Sequence, residues 1–397
     1  MKYIIVLADG MSDYPLEELG GKTPMEYAVK PNIDALASKG EMFLVKTVPD
    51  NMKPGSDVAN LSVMGYDPML YYTGRSPLEA ASIGVPLGKD DTAYRANLVT
   101  LKGDGEYEEL TMQDYSSGEI TSAESAELVK TLAEKLNSDE KKLYCGVSYR
   151  HLLVFTGDAP SCELTPPHDI SDRPVKDYLP EDERILSLMK KSREILKDHP
   201  VNQKRRAAGK NTADSLWVWG MGKSTSLPSF KEKTGLSGAV ISAVDLVRGI
   251  GYLADMEVVI VPDVTGNIDT NFDGKAEAAI NALKTKDFVY IHLEAPDECG
   301  HQGQAKLKAR SIELIDEKIV KPVCEAMKNA GEDFRIMVLP DHPTPVSIKT
   351  HAGNPVPCFI YDSTDEKDGK EKTFTEKTAD TKMFEPGHKL IDMFIQK

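Results

Sequence analysis

Apolar residues gather along this chain in short runs rather than in long helical stripes. The first run is Tyr3 to Ala8, closed by Asp9-Gly10, and four more lie in the last third: Met256 to Val261, Phe288 to Leu293, Phe334 to Leu339 and Val356 to Tyr361. Each is followed by a loop rich in Asp, His, Gly or Pro. Short apolar runs without polar alternation read as strands buried on both faces, the kind found in mostly parallel sheets covered by helices. After the first run, the pattern predicts a helix over Asn32 to Ser38, with Asn32 as N-cap and Gly40 as the stop. A short strand near Phe43 to Val48 comes next, and Pro54-Gly55-Ser56 opens a further helix. Strand, loop and helix in alternation predict an α/β fold with a mostly parallel sheet flanked by helices.

The middle of the chain differs. From about Asp91 to Asp214 it is more polar, with helices expected near Ser122 to Leu136 and Glu181 to Lys197, and strands near Leu98 to Leu101 and Leu152 to Thr156. Thr165-Pro166-Pro167-His168 and Gly209-Lys210-Asn211 read as loops. We therefore expect a smaller α+β insertion domain, residues 91–214, interrupting a catalytic domain built from 1–90 and 215–397. The charged stretch Asp365 to Lys377 reads as a solvated loop.

Composition narrows the function. At 397 residues two domains are expected. No apolar run reaches the roughly 18 residues of a membrane helix. The opening run is also too short for a signal-peptide core, so a cytoplasmic location is expected. Five cysteines, an odd number without paired spacing, argue against a disulfide framework and a zinc cluster. A net charge of −15 argues against nucleic acid as a partner. A small anionic substrate is compatible with that charge if positive charge is concentrated locally, as a metal would do. Self-association leaves no readable pattern.

Candidate chemistry sits at the ends of the predicted strands. Asp9 follows the first. Ser56 lies in Pro54-Gly55-Ser56-Asp57, Asp297 and His301 in Ala295-Pro296-Asp297-Glu298-Cys299-Gly300-His301, and Asp341-His342 after Phe334 to Leu339; His351 follows nine residues later. In an open α/β sheet, the loops at the carboxyl ends of the strands share one crevice. Three Asp, three His and one hydroxyl are enough ligands for two divalent cations, and mixed imidazole and carboxylate donors suit manganese or zinc rather than calcium. Taken singly, each residue has a plainer reading: Asp9 as a turn former, Ser56 as a helix cap, Asp297 and His301 as neighbours on one helical turn. It is their joint occurrence that points to a metal centre.

Val6-Leu7-Ala8-Asp9-Gly10-Met11, Pro54-Gly55-Ser56-Asp57, Ala295-Pro296-Asp297 through Gly300-His301, Asp341-His342 and His351 resemble, in order, the motifs of the alkaline phosphatase superfamily. The similarity extends over nearly the whole chain to the archaeal-type branch of cofactor-independent phosphoglycerate mutases. This resemblance implies one cation held by Asp297, His301 and His351, and another held by Asp9, Asp341, His342 and the Ser56 oxygen. It implies Ser56 as the nucleophile of a phosphoserine intermediate, manganese first among zinc, magnesium and cobalt, and no 2,3-bisphosphoglycerate. His151 matches a histidine the family uses at its active site. Arg75, Arg95, Arg150, His168, and Asn202 and Arg205 within the stretch 202–206, with Asn211, lie in segments resembling its substrate-binding regions, where arginine would grip carboxylate or phosphate. A surface salt bridge is the plain alternative for each arginine. His199, His292 and His388 read as structural.

Four other readings were weighed. Arg150-His151 is followed by Leu152, where a phosphohistidine mutase would carry glycine, and Ser56-Asp57-Val58-Ala59-Asn60 lacks a sulfatase signature. A metal-dependent phosphatase shares the core, as does a homoserine-kinase-like phosphotransferase, to which Ser76 and Pro296-Asp297-Glu298-Cys299 leave room.

Overall fold

The computed structural model describes residues 1–367, 372–379 and 382–396. In chain order the strands are β1 (Lys2–Ala8), β2 (Glu41–Val45), β3 (Asp91–Lys102), β4 (Thr111–Asp114), β5 (Lys141–Val147), β6 (Arg150–Thr156), β7 (Ser215–Lys223), β8 (Gly238–Ile241), β9 (Glu257–Val258), β10 (Phe288–Leu293), β11 (Phe334–Leu339), β12 (Val356–Asp362) and β13 (Met383–Phe384). The chain divides into two compact units, one of residues Met1–Tyr72 with Ser226–Lys397 and one of Thr73–Thr225. The helix Ser76–Ser82 and the whole of β7 therefore fall in the second unit, on either side of the 91–214 span read from the sequence. No helix among the described residues is long and apolar enough to cross a membrane.

The first unit is an α/β fold on an eight-stranded sheet of order β13-β2-β12-β11-β1-β10-β8-β9. β1 pairs in parallel with both β10 and β11, and β10 with β8. β12 is antiparallel to both β11 and β2, so it alone runs against the rest. Every residue of β10 is buried, as an apolar run covered on both faces should be. The two edges, β9 and β13, are two residues each, so the expected strand from Met256 to Val261 survives only as Glu257–Val258. β8, four buried residues of Gly238–Ile241, was not anticipated.

The first long helix is Pro31–Ser38, and its cap differs from expectation. Pro31 takes the first helical position, so Asn32 lies inside the helix, and the free N–H groups are met from afar by Asp316. The Asp316 carboxylate accepts from Ile33 N at 2.6 Å and from Asn32 Nδ2 at 2.7 Å. The charged stretch from Asp365 is only partly a solvated loop. Phe374 is buried in the core and Thr375 is buried beside it, while residues 368–371 lie outside the described residues.

The second unit is a five-stranded antiparallel arrangement. β3 pairs with β4, β6 and β7, and β6 also pairs with β5. β3 runs twelve residues, well beyond the Leu98 to Leu101 core that the pattern marked. The helix Ser122–Leu136 begins with a Thr121/Glu124 capping box and buries Leu128, Val129 and Leu132, and Glu183–Leu196 buries Ile185, Leu188 and Met189. Together with β3 and β7 these helices enclose a core of their own.

One buried ion pair ties the loops after β1 and β11 together. Lys308, with no exposed side chain, donates to Asp13 Oδ2 at 2.8 Å, to the Thr344 carbonyl at 2.8 Å and to the Ser12 carbonyl at 3.1 Å. Removing one partner strands a charge in the interior. We expect Lys308→Met to lower stability by about 3–5 kcal/mol, read as an earlier urea midpoint, and the double variant Lys308→Met/Asp13→Leu to recover part of that loss. A single variant as stable as the parent would refute the assignment.

Candidate active site and metal centre

Strand direction decides which loops meet. The three central strands β11, β1 and β10 are parallel neighbours, so Asp9 after β1, the Ala295–His301 helix after β10 and Asp341-His342 after β11 emerge at one edge. Because β12 is reversed, the loop entering it brings His351 to that edge as well. β2 is antiparallel to β12, and the chain leaving it leads to Ser56, the first residue of the helix Ser56–Val63. Gly10 lets the first loop pass close to the helix after β10. Its φ is +62°, and a Cβ there would sit 2.6 Å from Asp297 Oδ1 and 2.7 Å from Asp297 Cα.

The side chains form a contiguous cluster. Asp297 and His301, one helical turn apart, approach at 3.2 Å, and His351 Nε2 lies 3.6 Å from the other Asp297 oxygen. The Nε2 atoms of His301 and His351 face each other at 3.0 Å. His301 Nδ1 is turned to the Lys349 carbonyl at 3.0 Å and His351 Nδ1 to the Pro54 carbonyl at 3.4 Å, which leaves both Nε2 lone pairs for a ligand. Thr344 donates to Asp297 Oδ1. On the other side, His342 Nε2 is 3.3 Å from Asp341 Oδ2 and 3.8 Å from Asp9 Oδ1. Ser56 Oγ lies 3.2 Å from His342 Nε2 and 3.4 Å from Asp9 Oδ2. Asn60 links Ser56 and Asp341, donating to the Ser56 carbonyl at 2.8 Å and to Asp341 Oδ2 at 3.1 Å, while Tyr290 donates to its oxygen at 2.6 Å.

The electrostatics call for a cation. Burial raises the Asp9 pKa well above the ordinary carboxylate range, and the charges of Asp341 and Asp297 raise it further. Burial works the same way on Asp297, but the hydrogen bond from His301 and the nearby imidazoles overcome it and lower its pKa. Asp9 Oδ1 is buried without any hydrogen-bond partner, a costly state for a carboxylate oxygen. Donor atoms of Asp297, His301 and His351 lie within 4.8 Å of one another, as do those of Asp9, Asp297 and His342, and of Asp9, His292 and Asp341. An orphaned oxygen and two imidazole nitrogens turned toward each other fit divalent cations of the transition series.

The remaining sequence-predicted residues all lie in the second unit. Glu79 bridges Arg75 and Arg95 at 3.2 and 3.0 Å. The Arg95 guanidinium lies 4.3 Å over the Trp219 ring, which also meets the half-exposed His168 at 5.3 Å. His168 continues to Tyr115, Tyr115 to Tyr149, and Arg150 covers Tyr149 at 5.6 Å. Burial lowers the Arg95 pKa, and the charges of Arg75 and Arg150 lower it further, which shows how close the three cations stand.

Comparison with known proteins settles the family. The family model of 2,3-bisphosphoglycerate-independent phosphoglycerate mutase matches residues 37–202. A protein of that name from Methanosarcina barkeri is 48% identical over 96% of this chain and 95% of its own length. One named as a probable member, from Geobacter sulfurreducens, is 46% identical over the full length of both. This chain belongs to the 2,3-bisphosphoglycerate-independent phosphoglycerate mutase family. Among solved structures, a Pyrococcus horikoshii protein superposes with a TM-score of 0.80 at 29% identity, covering 99% of this chain and 96% of that one. The cofactor-independent phosphoglycerate mutase from Thermoplasma acidophilum gives 0.67 at 27% identity, covering 100% and 99%.

Within this mutase-family chain, three residues given site roles from the sequence are buried in the second unit, with the His151 Nε2 left without a hydrogen-bond partner. His151 shares the strand face of Leu153 and Phe155, which belong to the second unit's core, and is 3% exposed. Its Nδ1 accepts from Gly146 N at 3.1 Å, and burial pushes its pKa down to about 3. Asn202 is fully buried, donating to the Leu196 and Ala213 carbonyls and accepting from Ala213 N. All three nitrogens of Arg205 are occupied, by the Asn211 and Ser117 carbonyls and by Glu124 at 2.8 Å. A polar side chain from a turn-rich segment is as useful for closing a core as for gripping a ligand.

His292, read from the sequence as structural, instead adjoins the cluster. Its Nε2 is 3.1 Å from Asp9 Oδ2, and its Nδ1 is 2.9 Å from Glu294, which Lys275 holds at 2.7 Å. All three members of this chain are buried. Burial alone would lower His292, but the Glu294 charge and the bonds to both carboxylates raise it to about 10. The available signal was its place at the end of β10, where it resembled any other strand residue. We expect His292→Ala to weaken manganese binding by roughly 10–100-fold, measured by calorimetry, with the circular dichroism spectrum unchanged. Unaltered affinity would separate His292 from the centre.

Proposed function

We propose that this chain interconverts 3-phosphoglycerate and 2-phosphoglycerate through a phosphoserine on Ser56. The observation that carries this reading is the Ser56 hydroxyl, 3.2 Å from His342 Nε2 and 3.4 Å from Asp9 Oδ2, inside a ligand cluster of a mutase-family chain. Asp297, His301 and His351 would hold one divalent cation. Asp9, Asp341, His342 and the Ser56 oxygen would hold a second, with manganese the expected ion. When bound, such cations supply Lewis-acid stabilisation of an alkoxide and of phosphoryl oxygens.

The chain's own groups do the rest. Asn60 anchors the Ser56 backbone, and the amino end of the helix Ser56–Val63 presents unsatisfied N–H groups to a phosphoryl group. Ser56 Oγ attacks phosphorus, the Oγ–P bond forms and the bond to the glycerate oxygen breaks, with the serine proton passing to that oxygen. The neighbouring glycerate hydroxyl then takes the phosphoryl group back, and Ser56 regains its proton. Mutase outcome over hydrolysis requires that water be kept from the phosphoserine.

The patch of Arg75, Arg95, Arg150 and His168 is our candidate for substrate recognition. Phosphoglycerate offers two anionic ends, and a guanidinium lying flat on Trp219 is pre-oriented for a bidentate grip.

Ser56→Ala is expected to abolish turnover of 3-phosphoglycerate while leaving the fold and most manganese binding intact. Quenching the parent enzyme during turnover should give a phosphopeptide containing Ser56 by mass spectrometry. Residual activity within about tenfold of the parent would end the covalent reading. Activity lost in EDTA should return with Mn²⁺, and indifference to the chelator would rule out the metal centre.

A further inference from the structure

The second unit carries a cavity of about 400 Å³ whose charge runs opposite to that of the whole chain. Lys102, Arg193, Lys197, Arg206 and Lys210 line it, against two carboxylates, Asp104 and Asp214, in a protein of net charge −15. Several cations elsewhere in the unit are paired, Arg184 with Asp158 and Asp182, Lys190 with Glu108 and Arg205 with Glu124, and other exposed lysines stand singly. None of the five around the cavity makes an ion pair among the described residues. The Asp214 carboxylate is already committed, accepting from Leu101 N at 3.1 Å and from Thr212 Oγ1 at 2.7 Å.

Helix ends explain part of this. Arg193, Lys197 and Arg206 lie at or near the carboxyl ends of the helices Glu183–Leu196 and Pro200–Ala207, where a cation offsets the helix dipole. Lys102 and Lys210 have no such reason. One closes β3, and the other sits in the turn after the second helix. Lys210 N is bonded to the Arg205 carbonyl at 2.9 Å, Lys102 pairs with Thr111 of β4, and between them Thr100 Oγ1 donates to the Thr212 carbonyl at 2.7 Å. Five cations on one wall outnumber the two carboxylates, of which Asp214 feels the charges of Arg193 and Arg206, and a bound anion relieves the remaining repulsion.

We propose that this cavity is a binding site for a compact polyphosphate. Its size suits a small molecule. No aromatic ring lines it and Leu101 is its one large apolar residue, so it offers no stacking platform for a nucleobase. Hydroxyl and amide groups of Thr100, Gln113, Asn211 and Thr212 complete a lining suited to phosphate oxygens. Arg206 and Asn211 lie in a segment read from the sequence as resembling a substrate-binding region, but none of the lining residues belongs to the metal-ligand cluster or to the patch of Arg75, Arg95, Arg150 and His168.

The test is calorimetric titration of the whole protein with inorganic triphosphate at about 0.15 M salt. Saturable binding of one triphosphate is expected, weakened at least roughly tenfold by Lys102→Glu/Lys210→Glu. Lys102→Arg/Lys210→Arg should retain it, and so should Lys130→Glu/Lys176→Glu, which makes the same charge change at exposed positions elsewhere in the unit. Turnover of 3-phosphoglycerate without triphosphate should be unchanged in Lys102→Glu/Lys210→Glu. Three results would overturn the site: no saturable binding, equal weakening by both charge-reversed pairs, or binding that persists in Lys102→Glu/Lys210→Glu but disappears with EDTA. The last would place the triphosphate at the metal centre.

Discussion

Mutual repulsion among buried carboxylates organises the first unit. Asp9 shares one group of donors with Asp341 and another with Asp297, all in an interior where water cannot screen them. Such an arrangement persists only if other groups hold the acids in place against their own charge. Gly10 N and His342 N donate to Asp341 Oδ1, Thr344 donates to Asp297, and His292 meets Asp9. The oxygen left over, Oδ1 of Asp9, is the one that no protein group satisfies. That unsatisfied oxygen amid concentrated negative charge is what the proposed metal centre rests on.

Sheet topology makes that crowding achievable. Three adjacent parallel strands deliver their following loops to one edge, and a single reversed strand adds the loop that precedes it. Residues almost 350 positions apart, Asp9 and His351, thus belong to one cluster without any long excursion of the chain. The Lys308–Asp13 pair is the clamp beneath, fixing the two loops that carry Asp9 and His342 through backbone carbonyls rather than through the ligands.

Much of this was legible in the residues. β10 and β11 begin and end where the apolar runs do, because only His292 in the one and Arg335 in the other interrupt their apolar residues. Asp9, Asp297, His301, Asp341, His342 and His351 stood out because charged and imidazole groups directly after such runs are expensive to bury without purpose. The second unit was harder. Its strands bury polar residues among apolar ones, as β3 does with Thr92 and Asn97, so β3 was seen only at its most apolar stretch. The burial of His151, Asn202 and Arg205 could not be read there, because a polar side chain that satisfies buried backbone looks, in one dimension, like one open to a ligand. His292 was missed for the converse reason: its partners, Glu294 two residues on and Lys275 on another helix, become visible only in the fold. The Pro31–Ser38 helix was capped by Asp316, a residue nearly three hundred positions away, which no local pattern can reveal.

The edges of the large sheet have a consequence for how this protein meets its own copies. Both outermost strands are two residues long, so each margin offers very little unpaired backbone to an incoming chain. Edge-to-edge pairing, the usual route by which exposed sheets template aggregation or domain exchange, is thereby disfavoured. Contacts through side chains on the helices and loops, where complementarity has to be specific, are favoured in its place.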